Sequence, residues 1–143
     1  METQGFQYVL TAHHADDALE TFLINLSRGT GIDGLSGIPA QNGNVVRPLL
    51  PFSRQQILDF AQKEHLEWRE DSSNEDTKYL RNKIRHELVP TLKELHPTFL
   101  QNFGATQAHL RHSRSLISSY VDSVRSNLFE EYGGEIRINI EKM

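Results

Sequence analysis

The apolar positions of the first third of the chain change period once. Tyr8-Val-Leu-Thr-Ala12 is a β-branched and aromatic run that reads as a buried strand, and it passes without a turn residue into Ala15, Ala18, Leu19, Phe22, Leu23 and Leu26. Those six fall at i, i+3, i+4, i+7, i+8 and i+11, one face of an α-helix. Gly29, Gly31, Gly34 and Gly37 then end the helix in a shaped loop, because glycine takes positive φ without steric cost. Val45-Val-Arg-Pro-Leu-Leu-Pro51 reads as a short extended piece edged by prolines. Ser53 with Gln56 has the spacing of a capping box, and Ile57, Leu58, Phe60 and Ala61 give the apolar side of a second helix ending near His65.

Leu66-Glu-Trp68 reads as a further short strand, and Asp71-Ser-Ser-Asn74 as a loop whose side chains bond to nearby backbone. Leu80, Ile84, Leu88 and Leu92 recur at a helical spacing that Pro90 should kink or restart. Phe99, Phe103, Leu110, Ile117, Tyr120, Val121, Val124 and Leu128 mark a long amphipathic helix that Gly133-Gly134 should stop. Ile136, Ile138 and Ile140 alternate with Arg137 and Asn139, as in a single half-buried strand. Strand, helix, loop, strand and helix in the first 70 residues predict an α/β layer on a parallel sheet, followed by a mainly helical segment. So few short strands fall below the four or more that such a sheet usually needs, so part of it is expected to be absent from this chain.

Composition narrows the function classes. Apolar residues make up 37% of the 143, and no apolar run approaches the roughly 20 of a spanning helix, which excludes both a disordered chain and a helical membrane protein. The absence of cysteine excludes a disulfide framework, a thiolate zinc site and a cysteine nucleophile, and with no secretory segment at Met1 a cytoplasmic setting is expected. The formal charge is −4, but it is unevenly spread: residues 1–77 hold 5 basic and 12 acidic side chains, and residues 78–114 hold 7 and 2. Lys78, Arg81, Lys83, Arg85, Lys93, Arg111 and Arg114 therefore form either a solvated helix face or a lining for a polyanion such as RNA.

Three groups of residues could carry chemistry. His13, Asp17 and Glu20 lie on one line of the first helix, opposite the apolar stripe, and could bind an ammonium group or take its proton. Acidic side chains near a helix start are favoured by the dipole in any case, but Ile24 on the same side predicts that something covers this face. Arg81 and Arg85 stand one helical turn apart, so that two guanidinium forks could converge on phosphate or carboxylate. Arg28-Gly-Thr-Gly31, with Gly34 and Gly37, is either a nucleotide loop or a plain connection; it matches no P-loop and follows the C-terminal end of a helix. His13-His14 with Asp16-Asp17 invites a metal reading, but adjacent histidines point apart, so no metal site is assigned.

In order along the chain, these segments resemble the tRNA(Ile)-lysidine synthases, a family of PP-loop, or N-type ATP pyrophosphatase, enzymes. The resemblance rests on Thr11-Ala-His-His-Ala-Asp-Asp17 with Glu20-Thr21, Arg28-Gly-Thr-Gly31 with Gly34-Leu-Ser-Gly37, Arg47-Pro-Leu-Leu50, Glu70-Asp-Ser-Ser-Asn74 and Tyr79-Leu-Arg-Asn-Lys-Ile-Arg85. It implies a Rossmann-like, adenine nucleotide alpha hydrolase-like core over residues 1–92 and a helical segment over 93–143. It also implies an ATP-dependent ligase that adenylates the C2 oxygen of the wobble cytidine of tRNA(Ile), after which the ε-amino group of free L-lysine displaces AMP. By position, His13, Asp17, Glu20, Arg81 and Arg85 would serve the reaction, Arg28, Gly29, Gly31 and Gly34 would shape the nucleotide pocket, and ATP with Mg2+ would be required. The family's Ser-Gly-Gly-x-Asp-Ser loop does not occur here, so the chain reads as an internal piece that is inactive alone, with a bare sheet edge prone to self-association. A tRNA-thiolating PP-loop enzyme, a non-catalytic RNA-binding module and a metal hydrolase are the alternatives.

Overall fold

The structure is a computed structural model that describes residues 5–69, 79–133 and 135–138. Its organising element is helix α1 (Ala15–Ser27), which starts on a capping box. The His14 backbone N–H donates to Asp17 Oδ2 at 3.0 Å, and the Asp17 N–H donates to His14 Nδ1 at 3.4 Å, so two otherwise orphaned donors are satisfied. The predicted apolar stripe is the core. Ala18 and Leu19 are buried with Ile84, Val89 and Phe103, while Phe22, Leu23, Ile24, Leu50, Phe99 and Leu100 pack around them. The Phe22 and Phe103 rings meet edge to face, with centroids 5.2 Å apart.

The chain is mixed α/β, with a small sheet and mostly helices. Strand β1 (Val9–Leu10) pairs in parallel with β3 (Val45–Val46), and β2 (Gln41–Asn42) pairs antiparallel with β3, giving the order β1-β3-β2. The expected buried first strand is instead exposed, Val9 by 37% and Leu10 by 68%. The reason is that α1 turns its apolar face toward the later helices, and none of the described strand residues belongs to the core. Only Val45–Val46 of the expected extended piece 45–51 is strand; the backbone then turns, with Leu50 and Phe52 N–H groups bonding to Arg47 and Leu49 carbonyls. Helix α2 (Ile32–Leu35) is a single turn within the glycine-rich loop.

Helix α3 (Arg54–Lys63) begins on the predicted Ser53–Gln56 capping box and ends before His65, whose φ is +53°. Leu66-Glu-Trp68 is not a strand: it finds no ladder partner among the described residues, and Leu66 and Trp68 are about half exposed. The Glu70–Asn74 segment lies outside the described residues. Helices α4 (Tyr79–Lys83) and α5 (Val89–Leu95) are joined by a π-helical turn, Ile84–Leu88, and this is how the chain accommodates Pro90. The proline cannot donate back into the helix and crowds the carbonyl one turn earlier, so the ladder widens before it, with the Val89 N–H donating to Ile84 O.

Helix α6 (Phe99–Leu128) is the predicted long helix. It does not run to the glycines, because the backbone becomes extended at Phe129. Strand β4 (Phe129–Tyr132) pairs antiparallel with β5 (Glu135–Ile138) around Gly133, at φ +61°. The expected lone, half-buried strand is thus one arm of a hairpin, exposed along its whole length, with Ile140 outside the described residues. A two-residue Gly-Gly link between two short runs is a hairpin signal, and it prevails over the reading of glycine as a helix stop.

Candidate active site

The polar face of α1 is covered by the helices of residues 79–95, as Ile24 implied. Glu20, 1% exposed, is the centre of the contact. Arg85 Nε donates to Glu20 Oε1 at 2.6 Å and its Nη2 to Oε2 at 3.0 Å, a two-pronged fork. Arg81 Nε donates to the same Oε2 at 2.9 Å. Both arginines also reach toward Asp17 Oδ1, but at the longer distances of 3.4 Å from Arg85 and 3.6 Å from Arg81. The hydrogen bond to Glu20 raises the Arg85 pKa above its ordinary value, against the opposing effect of burial. Four of the five sequence-predicted catalytic residues, separated by up to 68 positions, therefore share one ionic cluster.

His13 stands beside this cluster rather than in it. Its Nδ1 is 2.9 Å from the Thr11 hydroxyl, whereas His14 caps α1, so the two imidazoles do diverge. Arg28 and the glycines lie at the other end of the helix. Arg28 is the exposed C-cap residue, and eight residues of helix set it about 12 Å along the axis from Glu20. The loop is held to α1 by Asn25 Nδ2, which donates to Gly34 O at 3.0 Å. A Cβ on Gly29 or Gly31 would meet open space, whereas one on Gly34 would fall 2.1 Å from Thr30 Oγ1.

A second ionic pair beside the cluster was not singled out from the sequence. Asp16, 6% exposed, accepts from the Arg54 backbone N–H at 2.8 Å and from Lys93 Nζ, tying α1 to the head of α3 and to α5. The available signal was the charge division along the chain. Arg81, Arg85 and Lys93 bind acidic residues of α1, Arg114 pairs with Asp33 at 2.5 Å, and Arg111 donates to Ser36 O at 3.3 Å. Much of the basic middle of the chain is therefore the internal counter-charge of its acidic first part, a reading that neither a solvated face nor a polyanion lining anticipates.

Burial acts to raise the Asp16 pKa, but the Lys93 ammonium, with further help from the Arg54 N–H, outweighs it and holds the carboxyl below its ordinary range. A carboxyl whose pKa is lower folded than unfolded adds stability above the unfolded value, about 3.9, and loses that contribution as the pH falls through the folded value. Denaturant midpoints measured from pH 7 down to pH 2 should therefore fall less steeply for Asp16→Asn than for the parent. Parallel curves would show that Asp16 contributes nothing to the acid response.

The structure sets a buried carboxylate that holds two arginines across an interhelical face beside a parallel strand–helix–strand unit and a glycine loop. The PP-loop domain family matches residues 1–92, and the chain belongs to it. Its curated relatives are more particular, since those compared are named tRNA(Ile)-lysidine synthase. The protein of Neisseria meningitidis serogroup B is 46% identical over 116 residues, covering 75% of this chain and 27% of the relative. That of Porphyromonas gingivalis is 42% identical over 125 residues, 87% of this chain and 28% of the relative. That of Bacteroides thetaiotaomicron is 38% identical over 138 residues, 96% of this chain and 32% of the relative. The chain thus spans about a third of the length of these relatives. No helix among the described residues is long and apolar enough to cross a membrane.

Proposed function

We propose that this chain supplies the lysine-handling face and the glycine loop of a tRNA(Ile)-lysidine synthase. In that reaction the C2 oxygen of the wobble cytidine attacks the α-phosphorus of ATP, pyrophosphate leaves, and the ε-amino nitrogen of L-lysine then bonds to C2 as AMP departs. The observation that carries the proposal is the convergence of Asp17 and Glu20 with Arg81 and Arg85 in a chain whose relatives bear that name. The β1–α1–β3 parallel unit supports an adenine nucleotide alpha hydrolase-like, Rossmann-like core, and a tRNA substrate supports a cytoplasmic setting.

The geometry divides the work. Glu20 is fully engaged by the two guanidiniums and acts by holding them. Asp17 has one oxygen in the α1 cap and the other only at long ionic distances, so Oδ1 is the atom able to accept the lysine ammonium and later its proton. Arg81 and Arg85, with side chains 36% and 27% exposed, face the charge that develops on phosphate. His13 borders the site at the head of α1.

Gly29 and Gly31 leave room for close approach to the backbone, and with Arg28 and Gly34 they would line the ATP pocket; ATP supplies the adenylyl group that activates C2. Magnesium does not fit these residues in the same way. Asp16, Asp17 and Glu20 already face cationic partners, and no group of three His, Asp or Glu among the described residues is set to hold a metal.

Two alternatives lose ground on specific observations. Sulfur transfer by way of cysteines has no cysteine to use in this chain, and a simple RNA-binding face is weakened by the internal pairing of Arg81, Arg85, Lys93 and Arg114. The test is incorporation of labelled lysine into tRNA(Ile) by a synthase carrying this segment. ATP-dependent incorporation that vanishes when the wobble cytidine is replaced by uridine is the expected result; labelling by sulfur instead of lysine would overturn the proposal.

A further inference from the structure

The first half of α6 grips the glycine loop, along one face of the helix. Phe103, Gln107, Arg111 and Arg114 recur at i, i+4, i+8 and i+11, and each meets something on or beside the α1–loop unit. Phe103 packs on Phe22, Arg111 donates to Ser36 O at 3.3 Å, and Arg114 pairs with Asp33 at 2.5 Å. Gln107 is only 5% exposed, and its Nε2 finds no hydrogen-bond partner among the described residues. That nitrogen lies where a side chain on Gly37 would have to go, 2.1 Å from an ideal Cβ, and Gly37 has φ +79°.

The last glycine of the run is thus packed directly under α6. Left-handed φ favours glycine at position 37, and the Gln107 amide packed over it would have to move to admit a side chain. Beyond Arg114 the described residues of α6 are exposed as far as Asn127, so the grip is confined to the part that faces the loop.

We propose that Gln107 and Arg111 are positioning residues for nucleotide binding: they fix the Ser36–Gly37 end of the loop and so set the presentation of its Arg28–Gly31 end to ATP. This rests on the reading of the loop as the ATP pocket. Neither side chain touches nucleotide; both act through the loop backbone.

The experiment is steady-state kinetics of a lysidine synthase carrying this segment, with ATP and lysine varied separately. Gln107→Ala, which opens the space over Gly37, and Arg111→Ala, an exposed position whose loss does not endanger folding, should each raise the KM for ATP about five- to tenfold. The KM for lysine and kcat should stay within about twofold. Gln107→Met, which refills the space, should restore the ATP value, and so should Arg111→Lys in part. Arg28→Ala separates the two levels of the argument. If it raises the ATP KM while Arg111→Ala and folded Gln107→Ala do not, α6 has no positioning role. If Arg28→Ala also leaves the ATP KM unchanged, the loop is not the ATP pocket and the proposal falls with that reading. A parallel rise of both KM values that follows the loss of thermal stability would show a merely structural role and would also overturn it.

Discussion

Glu20→Gln should lower the stability of the fold by about 3 kcal/mol, the size expected when one partner of a buried ion pair is removed. The wild-type carboxylate is almost wholly buried and accepts three guanidinium hydrogen bonds, from Arg81 Nε, Arg85 Nε and Arg85 Nη2. Glutamine keeps one oxygen acceptor and turns an NH2 donor toward groups that are themselves only donors. Both arginines are partly exposed and can recover some hydration, which keeps the cost at the lower end of the range. For a domain of this size the loss corresponds to a fall in Tm of about 6–12 °C. Urea denaturation of the parent and the variant measures it; a change below about 0.5 kcal/mol would place the cluster among surface substitutions and show that it anchors nothing.

Asp17→Asn should do the reverse, sparing the fold and damaging the chemistry. Asparagine retains a side-chain oxygen that can accept the His14 N–H and so close the α1 cap, and the ionic distances lost, 3.4 and 3.6 Å, are long. Stability should change by less than about 1 kcal/mol, the size of a helix-dipole contribution from one first-turn charge. Lysine transfer, by contrast, should fall about 100-fold or more, the usual contribution of a positioned general base. ATP–pyrophosphate exchange, which reports adenylation before lysine is used, should be retained. Transfer at close to the parental rate would remove Asp17 from the reaction. From the sequence, Asp17 and Glu20 are alike, two carboxylates on one helix face; burial and bonding separate them, Glu20 engaged by both guanidiniums and Asp17 Oδ1 left at long ionic distances.

Local features were legible where the cause is local. The periodicity of α1, the Ser53–Gln56 cap of α3 and the apolar period of α6 depend on residues within a turn or two of one another, and the structure shows each. Ile24 on the polar side of α1 correctly implied a cover over Asp17 and Glu20, because an apolar side chain there needs one. Other features depend on competition between signals. Pro90 widened the helix into a π-helical turn because Ile84, at the start of that turn, and Val89, just after it, are both buried in one core that holds the chain helical. Gly133 closed a hairpin because Phe129–Tyr132 found a partner strand in Glu135–Ile138.

Residue type and short spacing sufficed for helices α1, α3 and α6, the Ser53–Gln56 cap, the order of the family's blocks and the acidic and basic halves of the chain. Which charges meet depended on how those helices pack. Electrostatic attraction in a helical interface is set by distance and by the water excluded around it, so Lys93 reached Asp16 and Arg114 reached Asp33, while packing brought Gln107 over Gly37, seventy positions away along the chain.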